Sequence, residues 1–149
     1  MTTQTDAATL VKTSDDAPHG SVTVTEGVRV EIRPEILASH TDPDERRWVF
    51  VYRVKVTNGS DRPVRIVARQ WTIIDSHGDR ETVEGEGVVG EQPALEPGGS
   101  FSYESFCPLG TPWGTMEGAY EMRWLDTDER FYASIGRFYL VAPGELSAR

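Results

Sequence analysis

Basic residues are scarce in this chain. Lys and Arg total 15 against 24 Asp and Glu, so the 149 residues carry a formal net charge of −9. Non-specific nucleic-acid binding and binding to an anionic membrane both need a basic surface, and this composition argues against each. Cysteine is nearly absent too: Cys107 stands alone, which excludes an intrachain disulfide and points to a reducing compartment. Residues 1–20 lack the apolar core of a signal peptide or a membrane span. Rich in Thr, Asp, Ser and Ala, they predict a flexible tail, and the cytoplasm is the expected location. The three histidines, His19, His40 and His77, show no short ligand spacing, so no metal centre and no cofactor are expected. No stretch of ten residues repeats its apolar side chains at the helical period.

What the chain has is alternation. Ser21 to Pro34 sets Val22, Val24, Val28, Val30 and Ile32 against Arg29, Glu31 and Arg33, a half-buried strand with a bulge at Glu26-Gly27. Arg47 to Thr57 is the clearest strand, with Trp48, Phe50, Tyr52, Val54 and Val56 sharing one face. Val64 to Ile74 is apolar on both faces, as a central strand is. Arg80 to Val83, Ser100 to Cys107, Ala119 to Leu125 and Arg130 to Val141 follow, the last two joined as a hairpin by Asp126 to Glu129. Leu109 to Gly118 reads as a loop. Asn58-Gly59-Ser60-Asp61 reads as a turn closing a hairpin. That hairpin would set Lys55 across from Arg65, with Arg53 and Arg69 on the same face. Short strands at this spacing indicate an all-β fold, an antiparallel β-sandwich of immunoglobulin or fibronectin-III-like shape with about seven to eight strands. It would span residues 21–143, leaving 144–149 as a frayed C-terminal tail.

Charge is unevenly spread along this framework. Arg46, Arg47, Arg53, Lys55, Arg62, Arg65 and Arg69 are interrupted by one acid, Asp61, whereas Glu81 to Glu104 holds six acids and no base. Like charges opposite one another are unfavourable, so the basic stripe calls for acids nearby. The acidic segment is the internal candidate and a protein partner the external one. The acidic segment also contains Gly85, Gly87 and Gly90 in a Gly-x-Gly-x-x-Gly pattern. Such a loop cradles phosphate when a helix opens after it, but Pro93 and Pro97 forbid that helix here. Glu84, Glu86 and Glu91 would also repel an anion. The glycines are therefore expected to serve conformation, with an anion loop as the alternative. Cys107, before Pro108 at a strand end, is expected to be a buried packing residue.

Arg69-x-Trp71-x-Ile73-x-Asp75 and the run from Val83 through Gly85, Gly87, Gly90, Glu91, Gln92 and Pro93 to Pro97-Gly98 resemble the ApaG family. The resemblance continues through Phe101-x-Tyr103-x-Ser105, Cys107-Pro108-Leu109, Thr111-Pro112-x-Gly114-x-Met116-x-Gly118-x-Tyr120 and Phe138-x-Leu140-x-x-Pro143. It implies a fibronectin-III-like sandwich found alone in bacteria and as a module in eukaryotic F-box and DNA-polymerase-interacting proteins. It also implies an association with cobalt and magnesium resistance and a gene neighbourhood containing a diadenosine-polyphosphate hydrolase. The chain departs from the family's pattern at Gln70, where relatives carry His, and at Phe106, where they carry Gly. Gln70 removes the histidine that a metal ligand or base at that place would need.

These readings together predict a non-enzymatic binding module for an unidentified protein partner, either monomeric or homodimeric. The alternative is a sensor of nucleotide polyphosphate or pyrophosphate at Gly85, Gly87 and Gly90. The partner-binding candidates are Trp113, expected to be exposed on its Gly-Pro loop, and the bases Arg53, Lys55, Arg65 and Arg69.

Overall fold

The computed structural model describes residues 8–11 and 18–147, and its strand pairings are all antiparallel. In chain order the strands are β1 (Ala8–Val11), β2 (Ser21–Thr25), β3 (Val28–Ile36), β4 (Trp48–Asn58) and β5 (Val64–Asp75). They continue with β6 (Arg80–Glu86), β7 (Ala94–Leu95), β8 (Ser100–Leu109), β9 (Trp113–Trp124) and β10 (Arg130–Val141). One sheet runs β1-β2-β3-β4-β8; the other runs β10-β9-β5-β6, with β7 beside the start of β5. This is the all-β sandwich that the alternation predicts, with ten strands instead of the expected seven or eight. No helix among the described residues is long and apolar enough to cross a membrane.

The core lies where the period-two pattern places it. Trp48, Phe50, Tyr52, Val54 and Val56 of β4 are buried, and they face Tyr120, Met122 and Trp124 of β9 together with Phe138 and Leu140 of β10. At its centre Trp71 meets Tyr52, Phe138 and Tyr120 at ring-centroid distances of 5.4, 5.9 and 6.3 Å, all edge-on. Such edge-to-face pairs add about 1 kcal/mol each beyond their buried area.

Four expectations change. Ser21 to Pro34 is a hairpin, with Thr25 opposite Val28, because Glu26 and Gly27 both take positive φ (50° and 86°) and turn the chain back. Asn58–Pro63 closes no hairpin: β4 pairs with β3 and β8, and β5 with β9, β6 and β7, so this turn carries the chain from one sheet to the other. The expected loop from Leu109 to Gly118 is mostly strand, since β9 starts at Trp113. Gly144–Ser147 (α1) makes a helical turn where fraying was expected, and the Trp48 indole N–H donates to the Leu146 carbonyl at 2.5 Å. Within the expected N-terminal tail, Ala8–Val11 pairs with β2, while residues 1–7 and 12–17 lie outside the described residues. The connection from β6 to β8 does cross between the sheets, as its length suggests.

Side chains close one side of the sandwich. The hydroxyls of Ser21 and Thr23 donate to the Gly136 and Ser134 carbonyls of β10 at 2.7 and 2.6 Å, and Ser134 N–H donates to Thr25 Oγ1 at 3.1 Å. These hydroxyls of β2 satisfy the outer edge of β10, which would otherwise expose unpaired backbone groups. On the opposite side, β6 and β8 are the terminal strands of their sheets.

Candidate binding site

Three places bear on function: the glycine loop, the cleft beneath it, and the outer face of β9 and β10. The loop is held by a bulge in β5. Register shifts between Ile66 and Ala68, and the Val67 carbonyl accepts from Gly87 N–H at 2.7 Å and from the Gln92 side-chain amide at 2.9 Å. Gly87 has φ +68°, and a Cβ there would lie 2.4 Å from the Glu91 carbonyl oxygen. Val88 N–H donates to Glu91 and Glu91 N–H to Val88, at 2.7 and 3.0 Å, closing a tight turn that buries the Val88 side chain completely. The loop thus plugs the core with Val88, and the three N–H groups of Gly87, Val88 and Glu91 are spent on the chain itself.

The bulge has a second effect. It shifts the faces of β5, so that Arg69 lies opposite Tyr120 on one side and Gly85 on the other. Its guanidinium donates to the Glu86 and Gly87 carbonyls at 2.9 and 3.0 Å, and a Cβ on Gly85 would lie 2.9 Å from it. Gly85 therefore makes room for Arg69. Beside it opens a cleft of about 260 Å³ between the sheets, lined among others by Tyr52, Arg69, Trp71, Glu81, Val83, Ser105 and Cys107. Deeper in, the Tyr103 and Tyr120 hydroxyls join the two sheets. Burial holds both phenols above the usual range, Tyr120 also through its neighbour Tyr103.

Cys107 is buried in this wall, and burial, with a smaller push from Glu81, raises its thiol from an ordinary 9.0 to about 12. Its Sγ lies 3.9 Å from the Pro108 carbonyl. Because the thiolate is the attacking species, modification of the native protein by iodoacetamide at pH 8 is expected to run on the order of 100-fold slower than in urea. Equal rates in a urea titration would contradict that burial.

The basic candidates are dispersed. Arg53 lies on the first sheet, bonded to Glu35 at 2.7 Å and near Glu104 at 3.3 Å; Lys55 stands across from Glu31 and Ser102. Arg65 stands across from Arg123 and Ala94 on the second sheet, not from Lys55. So the stripe does not form one face, and its ion-pair partners are scattered: Asp42 for Arg47, Glu35 and Glu104 for Arg53, and Asp126 for Arg62, with Glu104 the contribution of the Glu81 to Glu104 segment. Asp75, His77 and Asp79 come together at the β5–β6 turn, with ligand atoms within 4.8 Å of one another. There Asp75 Oδ1 accepts from the backbone N–H groups of His77 and Asp79, at 2.9 and 3.0 Å.

Trp113 is 47% exposed and does not stand alone. Val141 lies directly opposite it across the β9–β10 ladder, and Tyr139, opposite Thr115, follows on the same face. Both are exposed, and Ile74 of β5 borders Thr115 from the other side. Tyr139 and Val141 were missed in the sequence, although counting back along the hairpin from Asp126 to Glu129 would have matched Val141 with Trp113 to within one bulge.

A family model described as the ApaG domain matches residues 38–124. Protein ApaG of Anaeromyxobacter dehalogenans strain 2CP-C is 46% identical over 127 residues, 85% of this chain and 99% of that protein. Protein ApaG of Maricaulis maris is 45% identical over 119 residues, 80% of this chain and 91% of its own. Among solved structures, the ApaA protein of Bordetella pertussis superposes with a TM-score of 0.76 at 38% identity, covering 78% of this chain and 94% of that one.

Proposed function

The chain belongs to the ApaG family, and from that premise we propose that it is a non-enzymatic binding module of the bacterial cytoplasm, which engages a protein partner through the outer face of β9 and β10. The observation that carries this reading is the cross-strand pair Trp113–Val141, flanked by Tyr139. Exposed aromatic anchors on a rigid ladder are what hot spots are made of. Glu117 lies on the same face, held by Arg137 at 2.6 Å, and the chain as a whole is acidic, so the partner surface is apolar with a basic rim. Any link to cobalt and magnesium resistance is then indirect, through that partner.

A photo-crosslinking amino acid at position 113, activated in growing bacteria, tests the reading. One discrete partner, lost when Val141→Lys is added, is expected. A ladder of products insensitive to Val141→Lys would count against it. Trp113→Ala should change stability by less than about 1 kcal/mol, since the ring is half exposed, yet weaken the partner complex by at least about thirtyfold, the size of a hot spot. An urea melt and a titration with the isolated partner separate the two effects.

One observation favours a second reading, a sensor of polyphosphate: the fold brings Arg69 beside Gly85 and Gly87. Against it stand the N–H groups already spent and the acids Glu84, Glu86 and Glu91, each costing an anion about 1 kcal/mol at contact range even in water. Calorimetry with diadenosine tetraphosphate, ATP and pyrophosphate is expected to find no micromolar site. Gly87→Ala should lower stability by about 2 kcal/mol through its positive φ and the contact with Glu91, and remove no affinity. A micromolar constant lost in a folded Gly87→Ala variant would favour the sensor.

A further inference from the structure

The register of β8 leaves a row of backbone groups pointing out of the sandwich. Asn58 N–H donates to the Gly99 carbonyl at 2.9 Å, and Leu37 N–H to the Val49 carbonyl at 2.7 Å. In an antiparallel ladder, residues alternate between facing one neighbour and the other. So the odd residues of β4 bond to β3 and its even residues to β8. Carried across the pairs Val54↔Tyr103 and Tyr52↔Ser105, this turns Phe101, Tyr103, Ser105 and Cys107 toward β4. The N–H and C=O groups of Ser102, Glu104 and Phe106, and the C=O of Pro108, face outward. No described residue pairs with that edge. Pro108 sits at a position whose missing N–H costs the ladder nothing.

Edges of this kind are usually guarded by charge, by brevity or by a cover. The edge of β6 is guarded, carrying Arg80, Glu81, Glu84 and Glu86 in seven residues. That of β8 runs for ten residues, Ser100–Leu109, with Glu104 as its one charge and Phe106 55% exposed. Below it lies the cleft of about 260 Å³, between Ser105 and Cys107 on one wall and Val83 and Glu81 on the other. That volume suits one aromatic side chain.

We propose that β8 is a docking edge for an extended peptide of a partner protein, which adds as a further strand of the first sheet and seats one aromatic side chain in the cleft. A strand added beside β8 presents to the cleft those residues that stand opposite Ser105 and Cys107, and bonds through the alternate ones. Glu81 in the wall of the cleft and Glu104 on the edge itself select basic residues on either side of the aromatic, with Arg69 on the far wall. The proposal rests on the chain's being a protein-binding module, but on a different surface from Trp113.

The probe is the synthetic peptide Lys-Lys-Val-Thr-Phe-Thr-Val-Lys-Lys, whose threonine N–H groups would face β8. In the free protein the amides of Ser102, Glu104 and Phe106 should exchange with deuterium at least tenfold faster than those of Tyr103, Ser105 and Cys107. Saturating peptide should slow the first three at least tenfold. Glu104→Pro, which removes an outward N–H and no ladder bond, should abolish binding. So should methylation of the two threonine nitrogens, a control that leaves the protein unaltered. Trp113→Ala should leave peptide binding unchanged. Absence of binding at millimolar peptide would overturn the proposal, as would protection of Thr82 and Glu84 instead. Concentration-dependent protection of Ser102, Glu104 and Phe106 without peptide would assign the edge to a second copy of the chain. Loss of binding in Trp113→Ala alone would overturn the docking edge while leaving the reading of the β9–β10 face intact.

Discussion

Gly118→Ala is expected to destabilise the domain by about 4 kcal/mol or more, the range reached only when something in the core must move. Gly118 lies on β9 opposite Trp71 of β5. A Cβ built there falls 1.9 Å from the Gln70 carbonyl oxygen and 3.0 Å from its carbon. Those atoms are backbone, in a strand paired on both sides, so no rotamer change relieves the overlap. A glycine inside a strand marks such a close approach. Gly90→Ala is the control. Its φ is +83° but nothing lies within 4 Å of the added carbon, so the cost should be about 1–2 kcal/mol from backbone conformation alone. Urea melts of both variants decide the matter, and a Gly118→Ala protein within about 1 kcal/mol of the parent would show that the strands can part.

Asn58→Ala should come second, at about 3 kcal/mol. Asn58 is completely buried at the turn that passes from one sheet to the other. Its Nδ2 donates to the Arg62 and Leu95 carbonyls at 2.7 and 3.0 Å, and its Oδ1 accepts from Ser60 N–H and Ser60 Oγ at 3.0 and 2.6 Å. The side chain's whole hydrogen-bonding capacity is used. Alanine leaves Ser60 N–H without its acceptor and takes one of the donors from the Leu95 carbonyl in a place water reaches poorly, and an unsatisfied buried group costs about 1–3 kcal/mol. Loss should exceed that of Ser60→Ala, which removes fewer of these bonds. A smaller loss than in Ser60→Ala, measured by thermal unfolding, would mean that water substitutes for the amide.

Asn58 also shows why the sequence was only partly legible. Asn-Gly between two apolar alternations is a strong hairpin signal, and local chemistry cannot tell a turn within one sheet from a turn between two. What separates them is the burial of the Asn amide against β7, a contact 37 residues away. The error carried over to the bases: once β4 and β5 lie in different sheets, Arg53 and Arg69 no longer share a face. Arg69 was further hidden by the bulge beside Val67, since one unpaired residue turns every later side chain of β5 over. The strands that form the core, by contrast, could be read directly. In β4 burial follows the alternation except at Val51, which is buried between Phe50 and Tyr52, and in the second half of β9 it follows without interruption. Of the candidate site, Trp113 was legible because a large aromatic beside Gly and Pro has no core period to belong to. The free edge of β8 was not, because an edge is a property of sheet order.

The hydroxyl seam between β2 and β10 gives the molecule a spine. Ser21, Thr23 and Thr25 fasten the two layers along one long side, while toward the other long side the layers meet through the Tyr103–Tyr120 contact and the connection from β6 to β8. A body hinged along one margin has one soft direction: it opens like the covers of a book, widest opposite its binding. Relaxation measurements should therefore find stiffness graded across each sheet, with the seam residues the least compliant and Glu81, Val83, Ser105 and Phe106 the most.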